Sequence, residues 1–265
     1  MAQQHAMSER HACRLIGIGR SSKRYRILRP ERDRELREQL RSLALARLRF
    51  GYRRLAVLLV LAGWRVNHKR VYRLYRAEGL IIRRRRRKRL ERGTVIAVSQ
   101  PQRMNERWST DFVSDCIAGG RTIRALTIVD DYTRECLGIE VDTSLGGMRV
   151  RRALEAVIET RGKPEVIVTD NGPEFRGRVL AGWSEERKVR LQFIEPGKPA
   201  QNAFIESFNG RLREECLNAN WFMSLADARR KIGAWREDYN QVRPHSSLGY
   251  LPPRRFAEAA AVVQS

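Results

Sequence analysis

The sequence predicts a mixed α/β domain, with a five-stranded sheet flanked by helices, that follows a small all-α module. Basic residues are concentrated at the front: residues 1–100 contain 28 Lys and Arg against 7 Asp and Glu, whereas the remaining residues contain 25 against 23. Apolar residues recur at helical spacing between residues 35 and 80. From residue 107 onward, runs rich in Val, Ile, Thr and Phe alternate first with turns and then with helical segments. This order predicts a mixed sheet covered by helices.

The composition restricts the class of protein. Hydrophobic residues make up 42% of the chain, enough for a buried core, and the basic front has the charge expected of a segment that binds a polyanion. No apolar stretch approaches the roughly 18 residues that a membrane span needs. The four cysteines are scattered without CxxC pairs, which is typical of reduced thiols. We therefore predict a cytoplasmic, nucleoid-associated protein without a membrane partner.

Three short helices are predicted in the all-α module, over residues 35–46, 53–62 and 68–78. Asn67 is a favourable N-cap for the third helix, and Gly79 a favourable stop. Three helices with a tight turn before the last are typical of a helix-turn-helix. On this interpretation the third helix presents four basic residues to DNA: Lys69, Arg70, Arg73 and Arg76. A small helical bundle with a solvated basic face remains the alternative.

A dense run of like charges follows this module and predicts a linker that binds phosphates by displacing their counterions. The run consists of Arg83, Arg84, Arg85, Arg86, Arg87, Lys88 and Arg89. The predicted organisation is a basic N-terminal segment, a helix-turn-helix module, an Arg-rich linker and a catalytic core with C-terminal helices, over residues 1–34, 35–80, 81–100 and 101–265.

The elements of the core follow from local patterns. Runs rich in β-formers, separated by a Gly-Gly turn and an Asp-led turn, predict two consecutive hairpins, with strands over residues 108–117, 122–130 and 136–142. Helices are predicted over residues 147–161, from 173 onward, and over 200–217 and 225–240, with strands over 165–169 and 190–194 between them. Trp221, Trp235 and Tyr239 are predicted to pack in the core.

Three carboxylates stand in apolar surroundings, where an isolated charge is costly unless it is paired or binds a metal. Asp111 lies in the middle of a predicted strand, Asp170 ends a strand of β-formers, and Glu206 lies in a helix beside Ile205 and Phe208. Thirty-five residues separate Asp170 from Glu206. Carboxylates at strand ends are common in the active sites of α/β proteins, so we predict that these three form one site.

Four motifs make the chain resemble the second-reading-frame product of the IS-three family of insertion-sequence transposases. They are Trp108-Ser109-Thr110-Asp111-Phe112, Thr169-Asp170-Asn171-Gly172-Pro173-Glu174-Phe175, the Lys198–Gly210 segment around Glu206, and Arg243-Pro244-His245-Ser246-Ser247-Leu248. The segments around Phe50-Gly51-Tyr52 and Val66-Asn67-His68 resemble the internal helix-turn-helix of the family. The resemblance implies an RNase H-like fold, a DDE retroviral-integrase-like core, and cutting and joining of DNA at transposon ends.

The three carboxylates also suit this chemistry on physical grounds. Attack on a phosphodiester needs an activated oxygen and a stabilised leaving oxygen, and two metal ions can provide both. Oxygen-only ligands favour Mg²⁺ or Mn²⁺ over zinc. We expect two ions, with Asp111 bridging both, Asp170 holding one and Glu206 the other. The nucleophile is water and then the freed 3′-hydroxyl, so no protein nucleophile is required.

Polar residues near Glu206 are predicted to contact the DNA beside the metals: Lys198, Gln201, Asn202, Asn209 and Arg213. Asp130 and Asp131 fit a structural role at a turn. Glu174 is assigned to solvent or to a helix N-terminus. His245 is not assigned a catalytic role.

The expected partners are transposon ends and target DNA, with a homo-oligomer assembled on the DNA. Active members of the family are usually fusions with an upstream DNA-end-binding segment and leucine zipper. Residues 1–34 contain no heptad repeat, so an upstream-frame partner or fusion is an open expectation. Two alternatives to a transposase remain: a nuclease that cuts without joining, and a non-catalytic DNA-binding regulator with a degenerate core.

Overall fold

The computed structural model describes residues 7–24, 33–82, 100–195 and 199–264. Five helices precede the sheet in these ranges: α1 (Glu9–Leu15), α2 (Arg20–Arg24), α3 (Arg34–Ala46), α4 (Tyr52–Leu61) and α5 (His68–Ala77). The last three coincide within a residue or so with the predicted helices of the module. Helices α1 and α2 are not among the helices predicted from the sequence.

Helices α3, α4 and α5 form one small core, as their amphipathic spacing predicts. Leu40, Leu55 and Leu74 are fully buried in it. Asn67 caps α5 as predicted, because its side chain accepts a hydrogen bond of 2.9 Å from the Lys69 amide. The inward aromatic residue of α5 is Tyr75, which is buried, whereas Tyr72 is exposed.

Five strands make one mixed sheet in the order β3-β2-β1-β4-β5. They are β1 (Arg107–Cys116), β2 (Thr122–Asp130), β3 (Cys136–Asp142), β4 (Val166–Thr169) and β5 (Arg190–Phe193). The first three are antiparallel, and β4 and β5 run parallel to β1. The predicted mixed sheet is therefore confirmed, with both hairpins.

Helices cover both faces of the sheet. They are α6 (Gly147–Arg161), α7 (Pro173–Arg176), α8 (Arg178–Arg187), α9 (Ala203–Glu215), α10 (Leu225–Gln241) and α11 (Pro253–Gln264). The predicted helix from residue 173 is two helices, because the backbone is extended at Gly177. The helix predicted over 200–217 is shorter, with 3₁₀ turns at Pro199–Asn202 and Leu217–Ala219. Helix α11 was not predicted.

Alternation along each strand sends successive side chains to opposite faces. On one face Trp108, Ile167 and Trp183 pack with α6 and α8. On the other face Val113 and Phe208 belong to the cluster formed with α9 and α10.

Two of the three aromatic residues assigned to the core lie there. Tyr239 is buried and Trp235 is partly buried against the same cluster. The prediction for Trp221 was wrong: its side chain is 73% exposed in the loop after α9, where Phe222 occupies the core position instead. No helix in the described ranges is both long and apolar enough to cross a membrane.

Candidate active site

Asp111 lies in the middle of β1 and faces α9. Its side chain points to the same face of the sheet as that of Val113, two residues later, which packs in the cluster formed with α9 and α10. Phe112 points to the opposite face. One carboxylate oxygen accepts a hydrogen bond of 2.7 Å from the Phe112 amide. The other accepts one of 2.8 Å from the side-chain amide of Asn209. The half-buried carboxylate is thus held by its own strand and by α9.

The register of the sheet aligns Asp170 with Asp111. Strands β1 and β4 pair in parallel with Arg107 opposite Val166 and Ser109 opposite Val168. Continuing this register by two residues sets Asp111 level with Asp170, which immediately follows β4. Side chains two positions apart along an extended segment point to the same face of the sheet. Asp111 and Asp170 lie two positions beyond the paired residues Ser109 and Val168, so both are directed to the face that α9 covers.

Helix α9 carries Glu206 in its first turn. Asn209, one turn later, is buried and contacts two strands: it donates to Asp111 and accepts a hydrogen bond of 3.0 Å from the Thr127 hydroxyl on β2. Ile205 and Phe208 are buried next to Asn209 on the face of the helix that packs on the sheet. Glu206 itself is exposed, so its carboxylate is accessible from solvent near the two aspartates.

The electrostatics of Asp111 reflect its neighbours. Burial raises the pKa of the Asp111 carboxyl, and the negative charges of Asp170 and Glu206 raise it further. Both negative charges therefore act against the ionised form of Asp111, an effect that a bound cation would relieve. In the part of the chain that the structure describes, no three His, Cys, Asp or Glu side chains are grouped so that they could hold a metal ion.

The loop after β4 holds Asp170 in place. One Asp170 oxygen accepts a hydrogen bond of 3.0 Å from the Gly172 amide, which closes an Asx turn. A Cβ atom at Gly172 would lie 3.0 Å from this same oxygen and 2.9 Å from a carboxylate oxygen of Glu174. Burial raises the pKa of Glu174, but the hydrogen bond from Arg124 outweighs it, so the pKa is lowered overall. Glu174 lies in the first turn of α7 and is paired with Arg124.

A second group of side chains holds the start of α9. The guanidinium of Arg134 lies 3.6 Å from the ring centre of Phe204, and that of Arg107 lies 5.5 Å from it. Arg107 also donates to Asp131 at 2.6 Å. Burial outweighs these partners and raises the pKa of Asp131 to about 6. Asp130 accepts hydrogen bonds from the Tyr132 and Thr133 amides, as expected for a turn aspartate.

The residues predicted to contact DNA occupy different environments. Lys69 and Arg76 are exposed on α5. Arg70 and Arg73 each form an ion pair of 2.6 Å with Asp33, which is 2% exposed, so any DNA contact would compete with these pairs. DNA contact by all four stays a prediction.

The polar residues near Glu206 are equally varied. The side chain of Gln201 bonds to Glu195, and Arg213 is exposed beside the end of β1. Asn202 and Asn209 are buried and turn their amides towards Thr110 and Asp111. Both side chains thus make contacts within the protein, and DNA contact by Asn202 and Asn209 stays a prediction. Lys198 and the run Arg83–Arg89 lie outside the described residues.

Three contributors to the site were not found from the sequence. Thr127, Arg124 and Arg134 come from β2 and the turn after it, and nothing in their local sequence indicates contact with residues about 50 to 80 positions away. His245 is buried against the Tyr239 ring, and burial lowers its pKa to about 2.

Comparisons with known proteins agree with this arrangement. Residues 101–199 and 187–253 each match a family described as "Integrase core domain", and residues 31–89 match an "HTH-like domain". The chain resembles a subunit of a simian T-cell lymphotropic virus intasome, with a TM-score of 0.55 and 13% identity, covering 82% of this chain and 74% of that one. The predicted RNase H-like, integrase-type fold is therefore confirmed.

Relatives by sequence come from bacterial insertion elements. An uncharacterized 31.7 kDa protein of insertion element IS407 from Burkholderia multivorans is 49% identical over 255 residues, 95% of this chain and 91% of that protein. Transposase InsD of insertion element IS2 from Escherichia coli is 29% identical over 230 residues, 80% of this chain and 74% of that protein. The chain belongs to the integrase-core family of insertion-element proteins, in which an HTH-like domain precedes the core.

Proposed function

We propose that this chain is a transposase, which cuts DNA at the ends of an insertion sequence and joins the freed 3′ ends to target DNA. The observation that carries the proposal is that the three candidate carboxylates lie towards one face of the sheet. Asp170 immediately follows β4, and the parallel register of β1 and β4, continued by two residues, sets it level with Asp111. Helix α9, which carries Glu206, contacts Asp111 through Asn209. The name of the InsD relative and the basic front of the chain support the same function.

The reaction needs an oxygen nucleophile to attack a phosphodiester and a leaving oxygen to be stabilised. Divalent ions, Mg²⁺ or Mn²⁺, supply both effects when bound. Asp111, Asp170 and Glu206 would hold these ions. Carboxylate oxygens are the ligands that these ions prefer, and the negative charges around Asp111 favour a cation, although the three side chains are not grouped as a metal site in the described residues. Asn209 and the Gly172 amide orient the two aspartates.

A strand-transfer assay tests the proposal against its alternatives. The substrate is a duplex that carries the terminal repeat found in the genomic DNA around the gene, with a supercoiled plasmid as target and Mg²⁺ or Mn²⁺ present. A transposase yields both nicked repeat and joined product. A nuclease yields only the nick, and a DNA-binding regulator yields neither.

We predict that Asn209→Leu lowers the cleavage rate about 10–100-fold, the usual cost of removing a group that orients a metal ligand. The substitution removes the donor that holds one Asp111 oxygen. Single-turnover cleavage measured against Mn²⁺ concentration checks this, and the loss should be partly recovered at high Mn²⁺. Thr127→Val is the comparison variant: it removes the hydroxyl that donates to Asn209 and to the Asp111 carbonyl but leaves the Asn209 donor to the Asp111 carboxylate, so its loss should be smaller. Equal losses in both variants would contradict the assignment.

The Arg83–Arg89 run is predicted to dominate the salt dependence of DNA binding. Seven cations that neutralise seven phosphates contribute a slope of about −6 in a plot of log affinity against log salt. Replacing all seven by Gln should therefore flatten the slope by about this amount for any sequence. Fluorescence anisotropy with a random duplex between low and moderate salt measures it. A slope unchanged by the replacement would show that the run does not bind phosphates.

A further inference from the structure

The segments around Phe50 and Arg243 meet where the helix-turn-helix module contacts the core. Both belong to motifs of the sequence that take no part in the proposed chemistry. Phe50 lies between α3 and α4 and is 4% exposed. Three guanidinium groups surround its ring, with centroid distances of 5.6 Å for Arg47, 5.3 Å for Arg54 and 5.7 Å for Arg243. The first two arginines belong to the module and the third belongs to the core.

Two carboxylates of the core neutralise this cluster. Glu215 accepts two hydrogen bonds from Arg243, of 2.8 and 2.6 Å, and lies 3.6 Å from Arg54. Asp238 on α10 accepts two hydrogen bonds from Arg47. Arg243 is 1% exposed, so its charge depends on Glu215 for compensation. Ion pairs from both carboxylates thus cross from the core to the module.

Glu215 connects this contact to the candidate active site. It is the last residue of α9, whose first turn carries Glu206. An α-helix rises about 1.5 Å per residue, so the two glutamates lie roughly 14 Å apart along one stiff element. A displacement of the module from Glu215 therefore acts on the helix that carries Glu206 and Asn209.

We propose that an interdomain joint fixes the helix-turn-helix module at a set distance from the three carboxylates. The joint consists of Phe50, Arg47, Arg54, Arg243, Glu215 and Asp238. DNA held by the module is then presented to the site in one register, and the joint determines where the strand is cut. This role rests on the proposed transposase function, whereas the joint itself does not.

Charge reversal across the joint tests both parts in the full chain. The variants are Arg47→Asp, Asp238→Arg and the two combined. The control is Arg151→Asp, which breaks an exposed ion pair with Glu186 on another face of the core. Small-angle X-ray scattering measures whether module and core stay together. Cleavage of the terminal-repeat duplex, mapped at nucleotide resolution, measures precision, and anisotropy measures affinity for that duplex.

We expect each single reversal to enlarge the radius of gyration and to spread the cuts over several positions, while affinity for the duplex changes less than about twofold. The double variant, in which the pair is restored with opposite polarity, should recover the compact form and the single cut. Wild-type scattering in both single variants, or no recovery in the double variant, would overturn the joint. Expanded single variants that still cut at one position would overturn its role in precision. If the wild type cuts no DNA, the proposed function fails while scattering still decides the joint.

Discussion

Replacing Asp111 or Asp170 by Asn, or Glu206 by Gln, is expected to lower DNA cleavage by at least about a hundredfold, equivalent to about 3 kcal/mol of transition-state stabilisation. Each substitution removes a charged ligand with little change in volume. Affinity for DNA should hardly change, because the basic residues predicted to bind phosphates are kept in all three variants.

Thermal unfolding distinguishes a functional from a structural role for Asp111. Burial and the charges of Asp170 and Glu206 disfavour its ionised form, so Asp111→Asn should leave the melting temperature unchanged or raise it. Loss of activity together with unchanged or higher stability is the signature of a site whose repulsion is maintained for function. Cleavage above a few per cent of wild type in any one variant would remove that residue from the site.

The order and type of the main elements could be predicted because their patterns are local. The strands around Asp111 and before Asp170 are rich in β-formers, and α5 begins at a strong N-cap. The break at Gly177 was not predictable, because the residue has an ordinary φ there and the break depends on packing. Trp221 was misplaced for a related reason: composition favours burying a Trp, but the neighbouring Phe222 fills the available space.

The three candidate carboxylates could be identified from the sequence, whereas the residues that contact them could not. The carboxylates stand in apolar surroundings, and the alignment of Asp111 with Asp170 follows once β1 and β4 are paired. The contact of Asn209 with Asp111 spans 98 positions. A polar residue on a helix predicts contact with solvent or DNA as readily as with protein, so the sequence alone predicts DNA contact by Asn209. The packing of α9 on β1 adds the contact with Asp111, and DNA contact stays a prediction.

The second large effect is expected at Gly172, and its cause is space rather than backbone freedom. The residue has φ −58° and ψ 147°, which alanine also adopts. A Cβ atom there would approach the Asp170 oxygen to 3.0 Å and the Glu174 oxygen to 2.9 Å. Both carboxylates must therefore shift, and the ion pair with Arg124 limits the movement of Glu174.

Gly172→Ala should therefore lower the cleavage rate about 10–100-fold, since small displacements of reacting groups have costs of this order, while DNA affinity and melting temperature stay near wild type. Single-turnover cleavage of the terminal-repeat duplex measures the loss. Gly182→Ala is the matched control: it lies within α8, and its Cβ would meet no atom within 4 Å. That substitution should raise stability by about 0.5–1 kcal/mol without changing cleavage. Because the contact at Gly172 is with the carboxylate itself, full activity in Gly172→Ala would mean that Asp170 need not keep this position for catalysis.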